Sequence, residues 1–241
     1  MINPALILKH LIFLGVHKKP VKISFDVGLN IIYGASETGK SFILESIDYM
    51  FGGKELRPIS ESDGYSQILL GIDVIGGESF TVVRNMSGGN FTVYDGLHEL
   101  ISDELAPLGT NLLKTHRKGL SNTISAYLLN KINLSNKCIR KNVQGTTIAA
   151  TIRNLIPLSI VDEQKIQKQI SPIHTGQVIN VTSEFSLFNL LLSGIDDSCV
   201  KPVRIIDQSQ QLNESKVEII QELIIELLEQ FSEGEPNQKD L

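Results

Sequence analysis

One eight-residue segment constrains this chain more than any other: Gly34-Ala35-Ser36-Glu37-Thr38-Gly39-Lys40-Ser41. It fits the pattern G-x-x-x-x-G-K-[ST] in full, and each fixed position has a chemical reason. The glycines let the backbone curl so that successive N–H groups converge on phosphate oxygens. A helix starting near Gly39 adds the positive end of its dipole. Lys40 supplies a mobile ammonium for the β- and γ-phosphates. The Ser41 hydroxyl is placed to ligate Mg²⁺, with water and phosphate completing the shell. The expected ligand is a nucleoside triphosphate with Mg²⁺, held by all eight residues. No base-reading motif accompanies the loop.

The flanks suit that reading. Leu29 to Tyr33 is an almost wholly apolar run, expected as a buried strand leading into the loop. Beyond it Ile43, Ile47 and Met50 share one helix face, and Gly52-Gly53 stops the helix. Ahead of it, Leu6–Leu14 and Val21–Phe25 read as strands joined by the basic turn His17-Lys18-Lys19-Pro20. Gln67–Ile75, Ser79–Arg84 and Asn90–Tyr94 read as an antiparallel meander, with Gly76-Gly77 and Gly88-Gly89 at the hairpins. Three helices are expected further on. One spans Asn111–Ile132, one runs from a cap at Thr147 to Leu155 before Pro157, and one covers Phe185–Leu192, capped by Ser183 and closed by Gly194. Leu158–Val161 is a short strand candidate. Val217, Ile220, Ile224, Leu227 and Phe231 form a heptad seam, which suits a coiled coil or a docking helix.

Composition narrows the class. Hydrophobic residues make up 41 % of the chain, enough for a core and too many for a disordered one. Two cysteines, Cys138 and Cys199, support neither a disulfide framework nor a four-cysteine zinc site, and point to a reducing compartment. No uncharged apolar run reaches the ~18 residues of a membrane helix. The apolar N-terminal stretch is broken by Lys9 and His10, so no signal peptide is expected. Cytoplasmic localisation without membrane association follows.

The net charge of −5 is unevenly spread. Residues 212–241 hold eight acids against two bases, whereas 105–161 hold eight bases and no acid. That basic stretch is a candidate footprint for a polyanion, and Lys114, Arg117, Lys118, Lys137, Arg140 and Lys141 are its candidate DNA contacts. A solvated face is the competing reading.

With the loop in place, FDVGLNIIYGASETGKSFILESIDYMFGG resembles the N-terminal lobe of SMC-like ATPases, the ABC-type heads of chromosome-maintenance and double-strand-break-repair proteins. Gly28, Asn30, Ile32, Gly34, Gly39, Lys40 and Ser41 match the pattern G-x-N-x-[IV]-x-G-x-N-G-x-G-K-S, while Ser36-Glu37 replaces its inner Asn-Gly. The resemblance is closest to bacterial repair and phage-defence members, and extends more weakly to SEFSLFNLLLSGIDDS. It implies a P-loop α/β fold: an N-terminal head lobe with an antiparallel β-meander and a C-terminal helix starting a coiled coil. It also implies ATP with Mg²⁺, a second copy of the head across the ATP, a C-terminal lobe or other subunit completing the head, and DNA as partner.

Two motifs compete at 158–164. Leu158-Ser159-Ile160-Val161-Asp162-Glu163 reads as hhhhDE, in which Asp162 would hold Mg²⁺ and Glu163 would polarise the attacking water. The resemblance instead implies a Q-loop, in which Glu163, Gln164 or Gln167 senses the γ-phosphate and Gln164 joins Ser41 on the metal. Leu192-Ser193-Gly194 echoes the start of an LSGGQ signature but reads better as a helix end. Asp196-Asp197 is a candidate metal pair with a solvated alternative. His17, Lys18 and Lys19 occupy a turn that the resemblance places near nucleotide.

The expected organisation is a head lobe over 1–210, a coil start or docking helix over 211–231 and a disordered tail over 232–241. Its expected role is the ATP-binding half of a head that couples nucleotide state to DNA binding, hydrolysing only when completed. Two alternatives stand beside it: a self-contained small P-loop NTPase or kinase using Asp162 and Glu163, and a non-enzymatic subunit that docks a partner.

Overall fold

A computed structural model describes residues 4–115, 120–167, 169, 171, 174–202, 216, 217 and 219–225. They fall into two compact units, 1–200 and 201–241.

The first unit is organised by a six-stranded antiparallel sheet in the order β2-β1-β3-β4-β5-β6. The strands are β1 (Leu6–Gly15), β2 (Lys18–Ser24), β3 (Gln67–Val74), β4 (Phe80–Asn85), β5 (Gly88–Asp95) and β6 (Thr110–Leu112). Their two-residue period sorts side chains to opposite faces. Leu11, Phe13, Ile68, Leu70, Phe80, Val82, Phe91 and Val93 enter the main core, whereas Ile12, Leu69, Val83 and Tyr94 enter a smaller cluster with Ile101 and Leu105. The outer edge is β2, which carries Lys18, Lys19, Lys22 and Pro20, residues that discourage further strand pairing.

Helices cover the main core. They are α1 (Lys40–Met50), α2 (Ile124–Lys131) and α3 (Ile152–Ser159), which contribute Phe42, Tyr49 and Met50, then Leu128 and Leu129, then Ile152 and Ile156. A hairpin of β7 (Cys138–Arg140) and β8 (Thr147–Ala149) packs on α5 (Val181–Ser193) through Ile139, Ala150, Leu187 and Leu190. A short helix, α4 (Glu163–Ile166), lies between α3 and α5. In the second unit, residues 216, 217 and 219–225 are helical. Leu227, Phe231 and the expected tail lie outside the described residues, as does the junction at 203–215.

Several expectations need correction. Leu29–Tyr33 forms no strand and is exposed, with Leu29 at 87 %, Ile31 at 72 % and Tyr33 at 91 %. Among the described residues no strand pairs with it, so an apolar run alone does not bury itself. The first turn is Val16-His17, and β2 already begins at Lys18. Asn111–Ile132 is not one helix: β6 occupies its start, and α2 begins only after Thr123, whose hydroxyl accepts from the Ala126 N–H at 3.1 Å. Thr147 lies in β8 rather than capping a helix, and Thr151 precedes α3 instead. Pro157 sits inside α3, in its final turn, where its missing N–H costs one bond and the helix ends two residues later. Leu158 and Ser159 are therefore helical, and the strand expected over Leu158–Val161 does not form. α5 opens earlier than Ser183, after Asn180, and Gly194 closes it at φ +73°.

Candidate functional site

The phosphate loop is built from its turns outward. The Asn30 side chain closes the preceding bend: its Nδ2 donates to Asp26 O at 2.8 Å and Gly28 O at 3.1 Å, and its Oδ1 accepts from the Asp26 N–H at 2.8 Å. Gly34–Gly39 then runs as an exposed loop, pinned across its base by the Thr38 hydroxyl donating to Ala35 O at 2.8 Å. Gly39 adopts φ +82°, a conformation glycine reaches without strain, and turns the chain into α1. Glu37 also has a positive φ, +60°, at the place where the resembled pattern carries glycine. A β-carbon in that region costs on the order of 1 kcal/mol.

Lys40 and Ser41 are the first two residues of α1. No side chain caps this helix N-terminus and no acid stands in its first turn, so the dipole's positive end is left for an external anion. The Lys40 ammonium curls back into the loop, donating to Gly34 O at 3.0 Å, to Ala35 O, and to the Thr38 hydroxyl at 3.3 Å. It thus lies within the curve that a phosphate would fill. The other end of α1 is locked by glycines: the Gly53 N–H bonds Asp48 O and the Gly52 N–H bonds Tyr49 O, both at 3.1 Å, with Gly52 at φ +96°.

Beside the loop is an open cavity of about 490 Å³ lined by Glu37, Lys40, Ser41, Arg57, Ser60 and Glu61, among others. The far wall carries no motif of its own in the sequence. Arg57 supplies a second cation there and pairs with Glu45 of α1 at 3.1 Å. Its only sequence signal was a Leu-Arg-Pro segment just after the glycines that end α1. Two cations, a helix N-terminus and Ser41 border one space, a donor set that suits a magnesium triphosphate, with Glu37 and Glu61 as the acids on the same wall.

The other expected residues lie elsewhere. Glu163 is exposed at the start of α4 and does not line this cavity; Gln164 is the next helical residue, and its side chain lies outside the described residues. Asp162 lines a neighbouring groove with Glu45, Asp48, Arg57 and Arg153, so Arg57 borders both spaces. With Leu158-Ser159 helical, the strand that the hhhhDE reading expects ahead of Asp162 and Glu163 is not formed. His17, Lys18 and Lys19 are not in the cavity wall; the Lys18 ammonium lies 6.0 Å from the Tyr65 ring centroid.

Of the basic candidates, Lys137, Arg140 and Lys141 gather on β7 and its ends, and Lys114 is exposed after β6. Arg117 and Lys118 lie outside the described residues. The stretch is partly neutralised from elsewhere: Arg140 pairs with Asp197 at 3.4 Å, Lys131 with Glu78 at 3.8 Å and Arg153 with Asp48 at 2.7 Å. Asp196 and Asp197 are engaged structurally, accepting from the Cys138 and Arg140 N–H groups, each at 3.0 Å. The Cys138 N–H and the Ser198 hydroxyl hold the Asp196 carboxyl below its ordinary range.

Among the described residues, no helix is long and apolar enough to cross a membrane. No curated protein and no solved structure matches the chain. A family model described as an AAA domain matches residues 11–235. That family implies ATP binding, usually with Mg²⁺, which agrees with the loop, the free helix N-terminus and the paired cations around it. With nearly its whole length inside that match, the chain belongs to the AAA domain family of nucleotide-binding P-loop ATPases.

Proposed function

We propose that this chain is the ATP-binding half of an SMC-like ATPase head, dimerising on ATP and coupling nucleotide state to DNA binding in repair or anti-phage defence. One observation carries the reading: Leu29–Tyr33, apolar and exposed, runs directly into Gly34–Ser41. An apolar run left in water beside a phosphate loop suits a site whose sheet is completed by another lobe or subunit. ATP and Mg²⁺ sit against Lys40, Ser41 and the α1 N-terminus. Hydrolysis waits for acids that a C-terminal lobe brings. Lys114, Lys137 and Lys141 are the basic side chains that reach DNA phosphates.

Calorimetry with ATP and Mg²⁺ tests the first step. Saturable heat that disappears in Lys40→Ala, with the melting temperature unchanged, supports the reading. Equal heat in both chains refutes it. For the DNA step, affinity for a duplex should fall linearly on a log–log plot against salt, with the slope reduced by about 1 for each of the three lysines removed. Binding that ignores salt refutes that part.

A further inference from the structure

Among the described residues Arg84, at 2 % exposure, is the one buried Lys, Arg, Asp or Glu. Its guanidinium carbon stands 3.8 Å from the Tyr49 ring centroid and 4.5 Å from that of Phe91. One nitrogen, Nη1, donates to Tyr49 O at 2.7 Å and to Gly53 O at 2.9 Å. Nε has no partner among the described residues. Burial holds the guanidinium below its ordinary pKa.

A buried cation without a carboxylate is costly, and a methionine would fill the same space without that cost. The charge must therefore serve some purpose beyond packing. Its counter-charge is the C-terminal end of α1, which has no basic residue of its own in the last turn. The contact is reciprocated: the Tyr49 hydroxyl donates to Asn85 O at 2.6 Å, so helix and β4 clasp each other twice. The chain leaving α1 lies close against the helix's own last turn, which brings Gly53 O to Arg84 Nη1. A β-carbon on Gly53 would stand 2.8 Å from Asp48 Oδ2 and 3.0 Å from Tyr49 Cα.

At the opposite end of α1 the Phe42 ring stacks on Phe13 at 5.7 Å, but among the described residues no side chain from another element clasps the backbone there: the N-terminus is uncapped and leads out of an exposed loop. An 11-residue helix is a rod of roughly 16 Å, so fixing its orientation at one end sets the other. We propose that Arg84 is the positioning residue of the phosphate loop: gripping α1 at Tyr49 and the chain that leaves it at Gly53, it holds Lys40 and Ser41 where phosphate is received. The proposal rests on reading Gly34–Ser41 as a triphosphate site. It assigns Arg84 no contact with the ligand.

The test uses the full chain with Arg84→Met and Arg84→Lys, read by amide hydrogen exchange and by ATP–Mg²⁺ calorimetry. Arg84→Met should raise exchange at 43–46 at least tenfold, leave 68–72 of β3 at the wild-type rate, and weaken ATP about tenfold. Arg84→Lys should recover only part, because an ammonium lacks the planar fork that bonds two carbonyls and stacks on two rings. Faster exchange confined to 49–53, or spread equally into β3, overturns the proposal, as does unchanged ATP affinity. Should Arg84→Met fail to fold, Arg84→Lys decides alone: faster exchange at 43–46 supports the proposal, and wild-type rates there overturn it. A wild-type chain that binds no ATP refutes the nucleotide reading itself, while the exchange pattern still reports whether Arg84 sets α1.

Discussion

In β3, Ile68, Leu69 and Leu70 are wholly buried, whereas Leu29, Ile31 and Tyr33, residues of the same chemical kind, stand in solvent. The difference is not hydrophobicity but partnership. β3 is flanked by β1 and β4, which satisfy its backbone and cover its side chains. The run before the phosphate loop has no strand beside it among the described residues. Burial is a property of the assembled surface, and a segment that looks like core can be interface.

Substitutions can break or sharpen this contrast. The largest effect is expected from Lys40→Ala, which should weaken ATP–Mg²⁺ at least a hundredfold in calorimetry while leaving the melt unchanged. Next, Leu70→Ala should cost about 3 kcal/mol in urea unfolding, as for a buried leucine left as a cavity. Leu29→Ala should stay within about 0.5 kcal/mol, as for an exposed site. A large loss at Leu29 would mean that the run is already core in this chain.

A smaller effect is expected at Asp197→Ala. It removes the acceptor of the Ser186 hydroxyl, the ion-pair partner of Arg140 Nε and one of the two acceptors of the Arg140 N–H, and should cost about 1–2 kcal/mol in the same assay. Glu184 gives a pH-dependent counterpart. Burial opposes its ionisation, but donors from Thr175 and His174 outweigh that and hold its carboxyl below the ordinary range. A depressed folded pKa means that the contribution is present above the unfolded value of about 4.3 and is lost as pH falls through the folded one. Wild type should therefore exceed Glu184→Gln by about 1 kcal/mol at pH 7, with the gap closing below pH ~4. Smallest of all, Glu37→Gly relieves a left-handed glutamate and removes an anion from the cavity wall. ATP should bind a few-fold tighter; weaker binding would show that Glu37 contributes to the site.

The sheet was legible because alternation needs only near neighbours: the meander from Gln67 to Tyr94 and its glycine hairpins follow from period two. The phosphate loop was legible because its chemistry fixes both residue type and spacing. Asn111–Ile132 was misread because its composition suits a helix throughout, and only the Thr123 cap marks where one starts. Arg57 had no motif, since its role depends on a loop folding back toward Glu37. Arg84 did leave a trace, a lone cation at the end of the apolar run Phe80–Val83, but periodicity assigns a face and not a partner. Leu29–Tyr33 could not be placed by any local rule, because burial depends on which segments pack beside a run and not on its own composition.

The carboxylates of Asp196 and Asp197 have a consequence for how the protein behaves in a crowded solution. By accepting from two amides of β7, they close that border to any incoming chain, much as the lysines and proline guard β2. Stickiness is thereby reduced at two margins, while the ribbon beside the phosphate loop keeps Leu29, Ile31 and Tyr33 in solvent. Concentrated protein should therefore self-associate more readily through that ribbon than through β2 or β7, and whatever covers the ribbon should also act as a solubiliser.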